Sequence, residues 1–307
     1  ALVSAMPSPG FNRMYHLSDG AAEFVAKLMD RRDFTPALPG HRGKHLNYEA
    51  EILSGMRALG SRVAVLPVPG SDGQTLQLIG DRTCMLFPFV ASAAVEQPTV
   101  EHIRAAATAL AEFHRETSKI PEGSGAHYTF ETLLDYELSH LRSGIARARL
   151  SPAAASLQPV LAAAEAARES VLRGAPLSRV HCHGDVCPRN FFFTPGGAIL
   201  HDYQMFAWGP RLADVAEGAL EFGLLNEAID LLRVRSFIDG YHAKGSLDTG
   251  EIDSLPRMLV LQCAFRLARM LRVSLDFGYP LNERRMRAFA DFAESLGRGE
   301  FPDSEAA

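Results

Sequence analysis

The sequence predicts an α+β fold with a small, antiparallel β-rich N-terminal lobe and a larger, mainly helical C-terminal lobe. Short apolar or alternating runs separated by Gly, Pro and Asp fill the first part of the chain, up to about residue 97. Long Ala- and Leu-rich stretches with helical periodicity follow. The chain has 307 residues, 47% of them hydrophobic, which is enough for a sizeable core. We expect the two lobes to cover residues 1–90 and 91–307.

The β-rich part contains a predicted hairpin and a predicted helix. Two strand-like runs flank an Asp-Gly turn signal over residues 12–29, and the second run carries Lys27. Residues 44–60 have apolar side chains at helical spacing and end at a glycine, so we expect a helix that carries Glu49 and Glu51. We interpret three further runs, VAVLPVPG, GQTLQLIG and CMLFPFV, as strands of the same sheet.

The second part is predicted to be mostly helical, with one exception. Helices are expected over residues 99–117, 129–149, 151–173, 211–224, 226–243, 251–276 and 282–296. Between the third and fourth of these, the runs VHCHGD, NFFFT and GAILHDYQ predict short strands around a Pro-Gly-Gly turn. The residue pattern of this segment therefore differs from that of the predicted helices on either side.

Composition and charge narrow the class of protein. The formal net charge is −5 and no run of Lys and Arg is present, which argues against a nucleic-acid binder. The four cysteines form no CxxC pair, as is typical of reduced thiols. No segment has the pattern of a signal peptide or of a membrane span, so we expect a cytoplasmic protein without a membrane partner. Nothing in the sequence indicates an oligomeric state.

The segment HCHGDVCPRNFFFTPGGAILHDYQ, residues 181–204, places polar groups among apolar strands. Asp185 and Asn190 lie on one loop, and the following hairpin returns Asp202 beside them. Carboxylates are costly to place against apolar surface unless something compensates their charge. A carboxylate and an amide oxygen can hold Mg²⁺, and a second carboxylate can receive the proton of an attacking hydroxyl. These are the parts of a phosphoryl-transfer site.

The same segment resembles a known family. HGDVCPRN followed by HDYQ is similar to the catalytic loop and metal-binding aspartate of aminoglycoside phosphotransferase and choline kinase-like enzymes, which are relatives of protein kinases. Six further segments appear in the family's order: FNRMYHL, FVAKL, NYEAEIL, MLFPFV, ALAEFH and GPRLADVA. The resemblance implies a two-lobed protein kinase-like fold. It also implies ATP-dependent phosphorylation of a hydroxyl on a small molecule such as an aminoglycoside-like antibiotic, an amino alcohol or a sugar.

The resemblance also implies roles for individual residues. Asp185 would be the catalytic base, and Asn190 and Asp202 would be the magnesium ligands. Lys27 would contact the ATP phosphates and Glu49 would be its ion-pair partner, with Glu51, two residues away, as the competing glutamate.

Further roles concern the nucleotide and the loop backbone. Asn12 would belong to the phosphate loop. The hinge between the lobes, from Met85 through Phe87 to Phe89, would receive the adenine. His183 and Asp214 would hydrogen-bond the backbone of the catalytic loop.

Two positions depart from the family pattern. Cys187 stands where protein kinases have a lysine that faces the γ-phosphate, and Arg189 either replaces that charge or points to solvent. Two other functions stay open: a bacterial serine/threonine protein kinase of similar fold, and a nucleotide-binding regulator without turnover, which the cysteine at position 187 keeps open.

Other charged and metal-ligating residues have competing interpretations. Histidines and cysteines between His181 and His201 could hold zinc, although their spacing matches no common zinc site. The arginines between Arg266 and Arg287 are expected to form a solvated helix face, with a pocket for an anionic substrate as the alternative. Glu217 and Glu221 are expected on a solvated acidic face, with contact to a cationic substrate as the alternative. His114 is expected to pack or to hydrogen-bond between helices.

Overall fold

The computed structural model describes residues 2–6, 12–30, 42–92, 95–122, 128–147 and 157–300. Within these ranges an antiparallel sheet comes first and helices dominate afterwards, which confirms the predicted α+β class. Of the helices in these ranges, none combines the length and the apolarity that crossing a membrane requires.

The first sheet has five strands in the order β1-β2-β3-β5-β4, and all neighbours are antiparallel. The strands are β1 (Leu2–Met6), β2 (Arg13–Ser18), β3 (Glu23–Asp30), β4 (Gln77–Ile79) and β5 (Arg82–Pro88). The β2–β3 pair is the predicted hairpin, and its turn is fixed by Asp19 Oδ1, which accepts from two backbone amides. Strand β1 was not predicted. In the centre of the sheet, Lys27 on β3 pairs with Met85 on β5.

Helix α1 (Arg42–Ala58) packs one face against this sheet. Its buried positions Leu46, Glu49, Leu53 and Met56 recur every three or four residues, so a glutamate falls within the apolar stripe. Glu51 lies on the exposed face. The helical period alone therefore separates the two candidate glutamates.

The run VAVLPVPG was predicted to be a strand, and this prediction is wrong. Residues 63–70 form only isolated bridges, from Ala64 to Leu200 and from Val68 to Leu86. Pro67 and Pro69 have no N–H to donate, so a continuous ladder cannot form there. The segment instead connects β5 with the strand that precedes Asp202.

The helices are α2 (Val100–Thr117), α3 (Phe130–Arg147), α4 (Gln158–Arg173), α5 (Arg211–Gly223), α6 (Leu231–Gly245), α7 (Thr249–Phe277) and α8 (Glu283–Gly297). They confirm the predicted helices, except that α6 begins about five residues late because residues 224–229 form a short hairpin. Residues 148–149 and 151–156 of two predicted helices lie outside the described residues. Helix α7 contacts α3, α4, α5 and α8, so it forms the centre of the helical part.

Short strands lie among these helices, including those of the polar segment. They are β6 (Tyr128–Thr129), β7 (Arg179–Cys182), β8 (Phe191–Thr194), β9 (Gly197–Leu200) and β10 (Ala207–Pro210), and β11 (Leu224–Leu225) pairs with β12 (Ala228–Ile229) in the short hairpin before α6. The predicted β8–β9 hairpin is confirmed, and β7 pairs with β10. The loop from His183 to Cys187 therefore emerges between two buried strands.

Close packing of α5 on α6 depends on Gly218. A Cβ at this position would lie well inside van der Waals contact of the Phe237 ring and of Val186 in the loop. We predict that Gly218→Ala lowers the free energy of unfolding by about 1–3 kcal/mol, because overpacking forces side chains from their rotamers. Gly297→Ala is the matched control, since Gly297 ends α8 with open space around it. Urea unfolding checks both variants, and equal effects would contradict the packing argument.

Candidate active site

Asp214 on α5 fixes the loop that follows β7. Its carboxylate accepts hydrogen bonds from the backbone amides of His183, at 2.6 Å, and Gly184, at 2.9 Å. His114 on α2 lies 2.9 Å from the same carboxylate through Nε2, and its Nδ1 lies 2.7 Å from the Tyr241 hydroxyl. Apart from Gly184, all of these residues are buried. The arrangement matches the structural role expected for Asp214 and the interhelical hydrogen bonding expected for His114.

A second set of bonds ties the loop to the turn after β9. His183 Nε2 donates to the carbonyl of His201, at 3.0 Å, and His183 Nδ1 accepts from the Asp185 amide, at 3.3 Å. Gly184 has a φ of +73°, and a Cβ there would collide with the Met205 carbonyl oxygen. Only glycine fits this position, so Asp185 and the residues after His201 are held in one fixed relation.

Asp185 and Asn190 are brought together as the sequence predicted. Asn190 closes a short 3₁₀ turn, Pro188–Asn190, and its Nδ2 donates to Asp185 Oδ2 at 2.9 Å and to the Asp185 carbonyl at 2.8 Å. With its amide nitrogen committed to Asp185, Asn190 presents its Oδ1 as an acceptor for a further group. The backbone carbonyl of Asn190 also accepts from His201, which draws Asp202 towards the same place.

Lys27 joins the sheet to this segment. Its ammonium lies 3.6 Å from Glu49 Oε1 and 3.2 Å from Asp202 Oδ1. The Glu49 side chain is fully buried and both of its carboxylate oxygens have no hydrogen-bond partner among the described residues, so Lys27 is the group that compensates their charge. The structure thus selects Glu49 over Glu51 as the lysine's neighbour.

The charges of this cluster adjust one another's pKa. Burial by itself lowers the pKa of Lys27, but attraction to Glu49 and Asp202 outweighs it and the pKa is raised. Burial likewise raises the pKa of Asp202, but the Lys27 ammonium and a 2.6 Å hydrogen bond from Gln204 lower it below the usual value. Burial raises the pKa of Glu49 against the pull of Lys27. Lys27 therefore stays cationic and Asp202 stays anionic near neutral pH.

The structure describes only part of the predicted nucleotide site, whereas it describes all of the predicted carboxylates. Asn12 is buried just before β2, whereas residues 7–11 of the expected phosphate loop lie outside the described residues. Met85 is fully buried opposite Lys27, and Phe87 pairs with Val25. Strand β5 thus continues through most of the segment predicted to be the hinge. Contacts of these side chains with adenine stay a prediction.

The arginines of α7 are not a solvated face, and that prediction is wrong for two of them. Arg266 and Arg272 are each only 8% exposed. Arg266 lies 2.7 Å from Glu217 and 2.9 Å from Glu221, both of which are buried on α5, so the predicted solvated acidic face is wrong as well. The helices α5 and α7 pack directly on each other, which places these opposite charges in one interior layer.

Arginines from this layer and from the loop surround Asp185. Arg189 lies 3.2 Å from its carboxylate, Arg266 3.5 Å and Arg269 3.7 Å. Burial would raise the pKa of Asp185, but these guanidinium groups hold it well below its usual range. The Arg189 side chain is 68% exposed and also reaches Asp185. A contact between Arg189 and the γ-phosphate stays a prediction.

Neither cysteine chemistry nor zinc finds support in this region. The Cys187 thiol is buried, which raises its pKa and keeps it protonated. His181 Nδ1 lies 2.6 Å from the Tyr48 hydroxyl, so that ring is engaged inside the core. Across the described ranges, no three His, Cys, Asp or Glu side chains converge as metal ligands.

The donor set does fit a magnesium ion that completes its shell with water and phosphate. Asn190 and Asp202 offer an amide oxygen and a carboxylate, the hard oxygen ligands that Mg²⁺ prefers. Asp202 has a φ of +66°, a region that aspartate tolerates better than most residues. The two side chains are tied into one unit through the bond between Asn190 and His201.

Sequence reasoning missed the arginines around Asp185. The available signal was their position: Arg266 and Arg269 interrupt LVLQCAFRLARML, a run otherwise too apolar for a solvated helix. A charge inside such a run predicts a buried partner. The partners, on α5 and α3, are far away in the sequence, so their identity was not visible there.

Comparisons with known proteins agree with this architecture. A model of the phosphotransferase enzyme family matches residues 7–242. No curated protein matches the chain.

Solved structures share the fold at low sequence identity. An amicoumacin kinase in complex with AMP-PNP, Ca²⁺ and Ami is 14% identical, with a TM-score of 0.70 over 97% of this chain and 88% of that one. A microcompartment-associated aminopropanol kinase is 17% identical, with a TM-score of 0.67 over 98% and 94%. A choline kinase from Streptococcus pneumoniae is 14% identical, with a TM-score of 0.63 over 97% and 95%. Since the family match spans most of the chain, the protein belongs to the phosphotransferase enzyme family.

Proposed function

We propose that this phosphotransferase moves the γ-phosphoryl group of ATP to a hydroxyl group of a small molecule. The observation that carries the proposal is the convergence of Asp185, Asn190 and Asp202 on one side with the buried Lys27–Glu49 pair on the other. Carboxylates for a base and a metal, beside a fixed lysine, are the parts that phosphoryl transfer requires.

Asp185 is the proposed base. The acceptor oxygen bonds to the γ-phosphorus as the bond from that phosphorus to the ADP oxygen breaks, and the hydroxyl proton passes to the Asp185 carboxylate. Asn190 holds this carboxylate by a 2.9 Å hydrogen bond, and Asp214 holds the backbone before it. The loop is therefore preorganised before either substrate arrives.

The nucleotide side is formed by the sheet. Lys27 would contact phosphate oxygens with its charge, and Glu49 would keep its ammonium in place. Asn12 would lie at the phosphates, and Met85 and Phe87 would line the adenine site. We place the boundary between the nucleotide-binding lobe and the helical lobe at residue 90, two residues after β5 ends.

Asn190 and Asp202 are the proposed magnesium ligands. A bound Mg²⁺ would neutralise charge on the phosphate oxygens. Support for a nucleotide and a divalent cation comes from the amicoumacin kinase, whose structure holds AMP-PNP and Ca²⁺. Support for a small alcohol as acceptor comes from the structurally similar aminopropanol and choline kinases.

An ATP-consumption screen over aminoglycosides, amino alcohols, homoserine, sugars and hydroxy acids tests the proposal directly. Acceptor-dependent release of ADP is the expected result. Labelled phosphate appearing in protein instead would establish a protein kinase. Tight nucleotide binding without turnover on any alcohol would establish a regulator that has lost its activity.

Asp185→Asn should reduce kcat by about 10²-fold or more while nucleotide affinity is kept, because the change removes the proton acceptor and preserves its shape. Steady-state kinetics and calorimetric titration with AMP-PNP measure the two quantities. Asp239→Asn is the control, since Asp239 is an exposed aspartate on α6. Unchanged turnover in the Asp185 variant would contradict its role as the base.

Asp202→Ala should weaken binding of ATP with Mg²⁺ more than binding of metal-free ATP. The carboxylate acts on the nucleotide through the cation. Removing Asp202 also frees Lys27 from one of its two acidic partners, which favours contact with the phosphates of metal-free ATP. Calorimetry with Mg²⁺ and with EDTA makes the comparison. Equal losses in both conditions would mean that Asp202 only shapes the turn.

Lys27 and Glu49 should behave as one unit in catalysis. Lys27→Met and Glu49→Gln are each expected to lower kcat/KM for ATP by about 10-fold or more, and the double variant should fall no further than Lys27→Met alone. Glu51→Gln is the matched control on the exposed face of α1. Additive losses, or a larger defect in the Glu51 variant, would show that the two side chains act independently. Thermal unfolding of each variant separates a kinetic defect from loss of the fold.

A further inference from the structure

Three guanidinium groups surround Asp185, the residue that meets the acceptor hydroxyl in the proposed mechanism. Arg189, Arg266 and Arg269 lie 3.2, 3.5 and 3.7 Å from the carboxylate of Asp185, the nearest described protein group to the reacting hydroxyl in the proposed mechanism. The Asp185 and Arg266 side chains are only 16% and 9% exposed, so water screens this pair poorly, whereas the Arg189 side chain is 68% exposed. Arg266 and Arg269 are also paired with acids of α5 and α3, whereas the ion pair of Arg189 within the described ranges is with Asp185 alone.

The neighbouring carboxylates are paired with arginines. Glu217 and Glu221 are within 2.7 and 2.9 Å of Arg266, and both side chains are almost fully buried. Glu137 has Arg269 at 3.4 Å. An ammonium group approaching any of these acids would also approach the guanidinium that already neutralises it.

Arg269 lies farther from its acidic partners than Arg266 does from Glu217 and Glu221. Its contacts to Glu137, Asp185 and Glu217 range from 3.4 to 3.8 Å, longer than the 2.7–2.9 Å of a charge-assisted hydrogen bond. Its side chain is 21% exposed. Arg269 thus keeps donor capacity at the edge of the site.

We propose that the acceptor alcohol carries an anionic group, a carboxylate or a phosphate, and that Arg269 and Arg189 bind this group. This inference rests on the proposed function. A guanidinium presents a fork of donors that matches either anion. An anion bonded to Arg269 Nη1, which is 3.7 Å from Asp185 Oδ1, lies at most about 9 Å from a hydroxyl bonded to that oxygen. The acceptor is therefore compact.

Binding of such an anion also prepares Asp185. In the free protein the Asp185 carboxylate shares its oxygens with arginines. An acceptor anion competes for Arg189 and Arg269 and leaves the Asp185 oxygens for the hydroxyl. A neutral alcohol has no group with which to make this exchange, so it orients less well at the base.

Matched acceptors test the inference on the intact protein. ADP release is measured with hydroxypropionate, propanediol and aminopropanol, which share one carbon skeleton, and with the corresponding four-carbon trio. We expect kcat/KM to be at least about 10-fold higher for the anionic member of each trio, since a desolvated guanidinium contact is worth that much or more. Glycerate and glycerol phosphate then distinguish carboxylate from phosphate.

The outcomes distinguish failure of the anionic acceptor from failure of the proposed phosphotransferase function. Turnover that is best with the aminoalcohols or with aminoglycosides would overturn the anionic acceptor and leave the proposed function standing. Turnover that is equal across each trio would also overturn it. Absence of turnover with every alcohol would overturn the proposed function and this inference with it.

Arg269→Gln provides a second readout. It should reduce kcat/KM for the preferred anionic acceptor by about 30-fold or more, mainly through KM, and leave KM for ATP unchanged, whereas Arg269→Lys should recover part of the loss. Arg284→Gln is the control, because the Arg284 side chain is 87% exposed on α8. Should Arg269→Gln unfold, Arg189→Gln at a side chain that is 68% exposed should likewise lose more activity with the anionic than with the neutral acceptor. An equal loss for anionic and neutral acceptors would refute the assignment.

Discussion

The Lys27 ammonium is the group on which the arrangement of the site depends. It is buried and lies within 3.6 Å of Glu49 on α1 and 3.2 Å of Asp202 after β9. Three elements far apart in the chain therefore share one cation. Removing that cation would leave the Glu49 carboxylate buried without compensation, which typically destabilises a protein by about 3–5 kcal/mol. The same contact that stabilises the fold also sets the position of a proposed metal ligand.

A second layer of charge fixes the other half of the site. Asp214 holds the loop backbone through two amides, and Glu217, one helical turn later, accepts from the Val186 amide and pairs with Arg266. Helix α5 therefore controls the loop with two buried carboxylates. Because Arg266 also reaches Asp185, this layer sets the electrostatic character of the acceptor side as well as its geometry. The same buried charges therefore hold the loop in place and underlie the proposed acceptor specificity.

The residues predicted for catalysis are the ones whose local pattern was unusual. Asp185, Asn190 and Asp202 stand among apolar strand residues, and Lys27 lies on an apolar strand, so the local sequence around each of them indicates a compensating partner. Glu49 follows from the helical period of α1, which buries positions 46, 49, 53 and 56. The strand β1 and the irregular course of residues 63–70 were missed because pairing partners and the effect of prolines depend on the rest of the sheet.

The sequence by itself determined the α+β class, most of the helices, the β2–β3 and β8–β9 hairpins and the residues expected at the site, because these depend on local periodicity, turn chemistry and ordered motifs. Only the tertiary structure decided the environment of Asp185. Arg266 and Arg269 lie some 80 residues from it in the chain, and Glu217 lies on another helix. The sequence alone therefore does not show that these arginines and carboxylates neutralise one another. Charges on a helix have the same appearance in a sequence whether they face water or a buried partner. Which of the two they meet is set by how α5 packs against α7. That packing buries Glu217, Glu221 and Arg266, which the sequence had placed on solvated faces.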